Sequence, residues 1–412
     1  MALTQVKTSG IADDAVTLAK QAAGTDGQII TYDASGNPSA VGPGTDGQVL
    51  TSTGAGSPPA FETISTTDSL SFRNRIINGA MEVNQRNNTN SIQGGTDAYY
   101  LDRWKVTNGG GGEITVAQQT DAPAGLVKSL KITVASPDSD IQASDWARVY
   151  TKLEGNTTAD FCWGIGEAKT ATVSFWVKSS LTGNFAFAIG NGGQSGYQSY
   201  QTQYTINAAN TWEKKTITIS GATGGTYAVD NTKGICLFWG LKGGSQYNAT
   251  VDQWNTTDTW FPANSVQVLA TNAATWFITG VQFELGSTAT DFEYRTYPDE
   301  LLRCWRYFYL QRSSCLNSGR GTGASNCNFT IITPVNMRTT PSISLTASSG
   351  MRHYGIDSHS DSTTAPTIVA WRDTSNHILC DQAGHTGVND DRVLTLMPNG
   401  SAAQGIELNS EL

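Results

Sequence analysis

The sequence predicts a mainly β chain, laid out as an extended N-terminal stalk, a jelly-roll-like β-sandwich, a short helix and a small distal β domain. Three observations carry that reading. Charged residues are only 15% of the chain while glycine alone counts 43, which suits short strands joined by many turns; a helical protein would be richer in Leu, Glu, Lys and Ala. Apolar and polar residues alternate at period two in segment after segment. A length of 412 residues exceeds one ordinary domain.

Residues 1–70 hold few aromatics and an internal repeat. Gly24-Thr25-Asp26-Gly27-Gln28-Ile29-Ile30-Thr31 returns as Gly44-Thr45-Asp46-Gly47-Gln48-Val49-Leu50-Thr51, a period of 20 residues. Each copy reads as an Asp-Gly turn feeding a short strand, with Asp33-Ala34-Ser35-Gly36-Asn37-Pro38 as a further turn between them. One such unit buries almost nothing alone. Two readings stand open here: a disordered linker, or a stalk whose strands pair between chains.

Residues 71–297 carry the longest run of strand signals. Leu130-Lys131-Ile132-Thr133-Val134, Val173-Ser174-Phe175-Trp176-Val177-Lys178, Lys215-Thr216-Ile217-Thr218-Ile219-Ser220 and Val281-Gln282-Phe283-Glu284-Leu285-Gly286 all alternate. Turn-rich spacers such as Gly109-Gly110-Gly111-Gly112 and Gly190-Asn191-Gly192-Gly193 separate strands. Many half-buried strands of this kind pack as two facing sheets. Residues 298–310 are read as a helical hinge: Pro298 suits a helix start, Asp299 and Glu300 a first turn, and Leu301, Trp305 and Phe308 share one face. Residues 311–412 return to short strands, including Phe329–Ile332, Ser342–Leu345 and Thr367–Trp371, with loops holding His353, His359, His377 and His385.

Charge and sorting signals narrow the function. The net charge is −9 with no basic run, which disfavours nucleic acid as a partner. The apolar stretch Ile235-Cys236-Leu237-Phe238-Trp239 is too short to insert in a membrane. The first residues lack the apolar core of a signal peptide, so folding in a cytoplasm is expected. Six cysteines without CxxC pairs read as buried free thiols.

Two stretches carry a resemblance. Asn74-Arg75-Ile76-Ile77-Asn78-Gly79-Ala80-Met81-Glu82-Val83-Asn84-Gln85-Arg86, with Asp102-Arg103-Trp104, resembles the start of the carbohydrate-binding-module-like sandwich of bacteriophage tail fibres. Gly280–Gly286 through Phe292-Glu293-Tyr294-Arg295 resembles its end, and Glu300–Phe308 fits the same family. The Gly-Thr-Asp-Gly-Gln repeats are similar to those near the N-termini of many such fibres. The resemblance implies an elongated homotrimer of identical chains and a virion location on the tail. It also implies production in the cytoplasm of an infected bacterium, attachment to a tail adaptor or other tail protein through residues 1–70, and a distal receptor-binding tip. Arg75, Arg86, Arg103 and Arg295 are expected to pair with Asp102, Glu284 or Asp291 where the sandwich ends meet, as structural ties.

The expected activity is host attachment through a bacterial surface polysaccharide, without catalysis. Sugar rings stack on flat aromatic surfaces while amides and acids hold their hydroxyls. Tyr197, Tyr200 and the amide-rich segment around them have that composition, as do Gln246-Tyr247-Asn248 with Trp254 and Trp260. In the tip, His353, Tyr354, Trp371, Arg372 and Asp373 are the candidates. Against these stands the ordinary role of Tyr and Trp in sandwich cores. Two alternatives remain: a tailspike depolymerase, and a purely structural head or tail fibre. A glycosidase needs two carboxylates across a cleft; Asp138 with Asp140, Glu284 with Asp291, and Asp390 with Asp391 are the pairs on offer, and a Gly-x-Ser-x-Gly elbow is lacking. No cofactor is expected. The histidines with Cys315, Cys327 and Cys380 lack zinc-site spacing, and a structural calcium at Asp138, Asp140 or Asp145 has no further sequence support.

Overall fold

The computed structural model describes residues 24–63, 72–86, 90–312, 317–322, 325–345, 350–354, 359–362, 366–371, 376–384, 393–399 and 405–412. The chain divides into two units, Met1–Leu70 and Ser71–Leu412. In the first, the repeat folds as two antiparallel hairpins: β1 (Ile29–Tyr32) with β2 (Pro38–Val41), and β3 (Gln48–Thr51) with β4 (Ala60–Thr63). Both copies make the same turn. The Gln28 and Gln48 side-chain oxygens accept the Thr25 and Thr45 amides at 2.8 and 2.7 Å. Gly27 and Gly47 take φ of 78° and 85°, a region where a β-carbon is strained. Ile30, Tyr32 and Leu50 stay exposed, because a lone hairpin has no second layer to cover them.

The second unit opens with a sandwich of thirteen strands. They are β5 (Asn90–Ile92), β6 (Thr96–Leu101), β7 (Trp104–Gly109), β8 (Glu113–Gln119), β9 (Ser129–Ser136), β10 (Trp146–Glu154), β11 (Ala171–Ser179), β12 (Gly183–Gly190), β13 (Ser199–Ile206), β14 (Glu213–Ile219), β15 (Lys233–Gly243), β16 (Gln253–Asn255) and β17 (Thr275–Leu285). One sheet runs β16-β13-β12-β15-β10-β7-β6 and the other β14-β11-β17-β9-β8-β5. Their facing rows meet around Trp239, which is fully buried and lies 5.6 Å from Trp104, 5.6 Å from Phe175 and 5.3 Å from Phe187 between ring centroids.

The alternating rows fall as their sequence requires: Leu130, Ile132 and Val134, then Val173, Phe175 and Val177, all point into this core. Strand β15 departs from alternation because residues 245–262 fold back over its outer side, so both faces are covered and the run reads as continuously apolar. Strand β17 departs too. Gln282 and Glu284, expected on a solvent face, are buried beneath the segment that follows the strand. Gln282 accepts the Glu293 amide at 2.8 Å, and Glu284 accepts the Thr290 amide and hydroxyl at 2.9 and 2.7 Å.

Helix α1 (Tyr297–Trp305) comes next, capped by the Thr296 hydroxyl, with Pro298 in its first turn. It stops at Trp305, short of the expected 310. The Tyr307 amide closes a turn onto the Cys304 carbonyl, and Phe308 opens strand β18 (Phe308–Arg312) instead of extending the helical face. The reason is non-local: β18 pairs along its length with β27 (Gly405–Asn409).

Between those two lie β19 (Asn317–Gly321), β20 (Cys327–Ile332), β21 (Ser342–Leu345), β22 (Gly350–Tyr354), β23 (His359–Ser362), β24 (Thr367–Trp371), β25 (His377–Gln382) and β26 (Val393–Asn399). They form sheets of order β18-β27-β21 and β23-β22-β26-β19-β20-β25-β24. Phe329, Ile331, Ile378, Ile406 and Leu408, with the thiols Cys327 and Cys380, make a second, smaller core. Cys236 and Cys304 are likewise buried free thiols and Cys162 is partly buried; Cys315 lies outside the described residues. No helix among the described residues is long and apolar enough to cross a membrane.

The arginines of the two terminal motifs do tie strand ends together, with partners that differ from expectation. Arg86 faces Asp102 at 3.6 Å and also Glu411 at 3.2 Å, and Arg103 pairs with Glu411. Arg75 meets Asp160 at 2.7 Å, while Arg295 meets Glu293 and Glu300 at 3.8 and 3.3 Å. Glu284 is taken by Thr290 and Gln282 instead. Glu411, which follows β27, thus plugs into the sandwich, and Arg306 beside α1 grips Glu154 of β10 through two bonds of 2.7 and 2.9 Å. Burial pushes the Asp102 carboxyl up to about 6 against the pull of Arg86 and Gln85.

Candidate ligand-binding cleft

Strand β10 turns Ala147, Val149 and Leu153 into the core and presents Trp146, Arg148, Tyr150 and Lys152 on the outer face. Its register with β15 sets Tyr150 opposite Phe238, Lys152 opposite Cys236 and Arg148 opposite Gly240. The Tyr150 and Phe238 rings are 5.7 Å apart. Across from Arg148 there is no side chain, and the loop 245–262 uses that space. A β-carbon on Gly240 or Gly243 would sit 2.6 or 2.3 Å from the Phe261 ring, so glycine at both places lets Phe261 lie on the sheet beside Ala186 and Ala188. The Tyr247 carbonyl accepts the Trp260 and Phe261 amides at 3.1 and 3.2 Å, fixing the loop.

Seating Phe261 brings Trp260 over Arg148. The guanidinium carbon lies 4.6 Å from the Trp260 ring centroid, 4.6 Å from Phe238 and 5.4 Å from Tyr150, a stacked arrangement stabilised by cation–π attraction. The opposite wall is the turn after β12. The Asn191 amide donates to the Gly196 and Thr226 carbonyls at 3.0 and 3.2 Å, which holds Tyr197 out over the opening. Asp258 faces its hydroxyl, and burial together with that carboxylate pushes the phenol up to about 12.

Between these walls is a cleft of about 170 Å³ lined by Arg148, Tyr150, Lys152, Tyr197, Gln198, Ser199, Lys233, Phe238, Asp258, Thr259 and Trp260 among others. Lys233 donates to the Gly192 carbonyl. Lys152 donates to the Leu412 backbone oxygen at 2.6 Å, and burial lowers its ammonium to about 8. Asp258 is the one carboxylate in the lining. Flat rings beside amide, hydroxyl and cationic groups can hold a polar, ring-shaped ligand.

The residues expected from sequence to bind a receptor scatter. Tyr197 lines this cleft, whereas Tyr200, three positions on, turns into the core and packs on Trp254 at 5.6 Å. Of the other aromatics named, Trp260 lines the cleft and Tyr247 packs against it at 4.9 Å, while Trp254 packs on Trp163 and donates to the Ser220 carbonyl. In the C-terminal seven-stranded sheet, His353 and Tyr354 sit on β22 and Trp371 ends β24. Those strands are near opposite edges of the sheet with four strands between them, so the backbone does not bring them together. Arg372 and Asp373 lie outside the described residues, as do Asp390 and Asp391. Asp138 is occupied by the buried Lys242 ammonium at 2.7 Å, and Asp145 by the Gln142 amide at 3.0 Å. Among the described residues no group of three or more potential metal ligands forms.

Sequence reasoning missed Arg148, Tyr150, Phe238, Lys233 and Asp258. A signal existed for the β10 members, since Trp146, Arg148, Tyr150 and Lys152 alternate with Ala147, Val149 and Leu153. Nothing local marks Asp258, which reaches the cleft only through the fold of its loop.

No family model matches the sequence, and no curated protein matches it. Solved structures do align with part of it. The enzymatically active domain of Bacteriophage CBA120 tailspike protein 4 aligns over 53% of this chain and 22% of its own, at 13% identity and a TM-score of 0.29. The family 11 carbohydrate-binding module from Clostridium thermocellum, in complex with a β-1,3-1,4-mixed-linked tetrasaccharide, covers 48% of this chain and 95% of its own at 12% identity and a TM-score of 0.25. TmCBM61, in complex with β-1,4-galactotriose, covers 52% and 99% at 13% identity and a TM-score of 0.25.

Proposed function

We propose that this chain is a tail-fibre-type adhesin of a bacterial virus that binds a surface glycan in the sandwich cleft and does not cleave it. The observation that carries the binding claim is the cleft itself, where Tyr197, Phe238 and Trp260 stand beside Gln198, Ser199 and Thr259. A single carboxylate in the lining favours holding over hydrolysis, which needs two. The viral assignment rests on the paired motifs at residues 74–86 and 280–295 and on the Gly-Thr-Asp-Gly-Gln repeats. On this reading three identical chains assemble, residues 1–70 dock on a tail protein, and their exposed Ile30, Tyr32 and Leu50 meet neighbouring chains. Three weak sites on one particle then act at high effective concentration, so modest affinity per site becomes firm attachment.

The test is adsorption of the purified full-length chain to a panel of bacteria, intact and stripped of surface polysaccharide. Binding that stripping abolishes supports the adhesin. Release of reducing ends from the polysaccharide would instead make the protein a depolymerase, and failure to bind any strain would leave it as virion architecture.

A further inference from the structure

We infer that the glycan held in this cleft is anionic, bearing a carboxylate or phosphate that Arg148 grips. The inference rests on the glycan-binding reading above and deepens it. The chain as a whole is acidic, at −9, yet the cleft lining holds Arg148, Lys152 and Lys233 against Asp258 alone. That carboxylate faces the Tyr197 hydroxyl.

Arg148 is the telling residue. Arg86, Arg103, Arg295 and Arg306 each face a carboxylate, as partly buried guanidinium groups generally must. Arg148 has no carboxylate within ion-pair distance among the described residues, and its Nε is buried without a hydrogen-bond partner. It is instead clamped between the Phe238 and Trp260 rings. Stacking fixes the plane of the fork and removes water from its faces, while the edge is left to a ligand. A planar guanidinium edge matches the two oxygens of a carboxylate or phosphate. With a neutral sugar the three cations would have the Asp258 carboxylate alone as counter-charge in the lining, a net repulsive arrangement.

The experiment is a binding titration of the full-length chain with polyuronate oligosaccharides, with the same oligomers after reduction of each carboxyl to the neutral alcohol, and with phosphate-bearing oligomers of the teichoic-acid type. The expected result is binding of an acidic oligomer about tenfold or more tighter than its neutral counterpart. Arg148→Gln should weaken it about 10- to 100-fold. For the unaltered chain the affinity should fall as salt is raised, which tests the charge without any substitution. The polyuronate and phosphate arms tell which acid is read. Equal or tighter binding of the neutral oligomers, insensitive to salt, overturns the inference and leaves the glycan-binding reading standing. Binding of no oligosaccharide overturns both.

Discussion

Replacing Glu411 with alanine removes the carboxylate that Arg103 faces and one of two that Arg86 faces. The side chains are nearly sealed from water, with Arg103 2%, Glu411 4% and Arg86 6% exposed. Arg103 would retain the Tyr307 ring, 3.5 Å away, and the Lys152 carbonyl, and neither offsets a full positive charge. Breaking a buried pair by deleting one partner typically costs about 3–5 kcal/mol, because the survivor stays buried and charged. Arg86 keeps Asp102, which places the expected loss toward the lower end of that range. Urea unfolding measures it directly. Hydrogen exchange should localise it, with amides of β18 and β27 losing protection while β11 and β15 keep theirs. Adding Arg103→Met to Glu411→Ala removes the stranded charge and should restore part of the stability, so the two changes are non-additive. If Glu411→Ala lies within about 0.5 kcal/mol of the parent, as an ordinary surface change would, the buried-junction argument is wrong.

Three further outcomes are expected. Gly79→Ala would place a β-carbon 2.2 Å from the Val281 carbonyl oxygen, in a loop whose own carbonyl accepts the Val281 amide; thermal unfolding should show a loss of about 1–3 kcal/mol. Burial raises the Glu154 carboxyl, but hydrogen bonds from Arg306 and Tyr307 outweigh it and hold the group below its ordinary value. The folded state therefore binds that proton less readily than the unfolded one, so this contribution is present above the ordinary carboxylate range and is lost as pH falls through the folded value. Stability measured from neutral to acid pH should fall less steeply in Arg306→Met, and an unchanged slope would remove the pair from the account. Lys152, lowered to about 8 by burial, loses its charge as pH rises through that value, so affinity for an acidic oligosaccharide should drop between neutral and alkaline pH. Lys152→Met should bind more weakly at neutral pH and lack that drop.

Much of the fold was legible because period-two alternation is a local signal. Leu130–Val134 and Val173–Lys178 could be placed in strands with their inward rows named, and each Thr-Asp-Gly-Gln unit named its own turn. The helix start was legible too, since capping chemistry lies within a few residues of the end it caps. Its finish was not: Phe308 continues the helical spacing, yet the pairing that claims it comes from Gly405–Asn409. The burial of Gln282 and Glu284 was hidden as well, because alternation does not show that residues 290–293 turn back over the outer face of the strand they follow.

The candidate site divides along the same line. Tyr197 was recognisable by composition, but composition could not separate it from Tyr200: Tyr197 lies in the turn before β13, while the pleat of β13 points Tyr200 into the core. Arg148 looked like any strand arginine until the glycines at 240 and 243 let Phe261 settle and set Trp260 above it. The sequence by itself determined the strands, the turns, the helix start and the acidic, β-rich character of the chain, all properties of neighbours along the backbone. Tertiary structure alone decided which rings became a cleft, that Arg148 was stacked between rings and not paired with a carboxylate, and where Glu411 was buried. Each of those depends on contacts between residues that only folding makes adjacent.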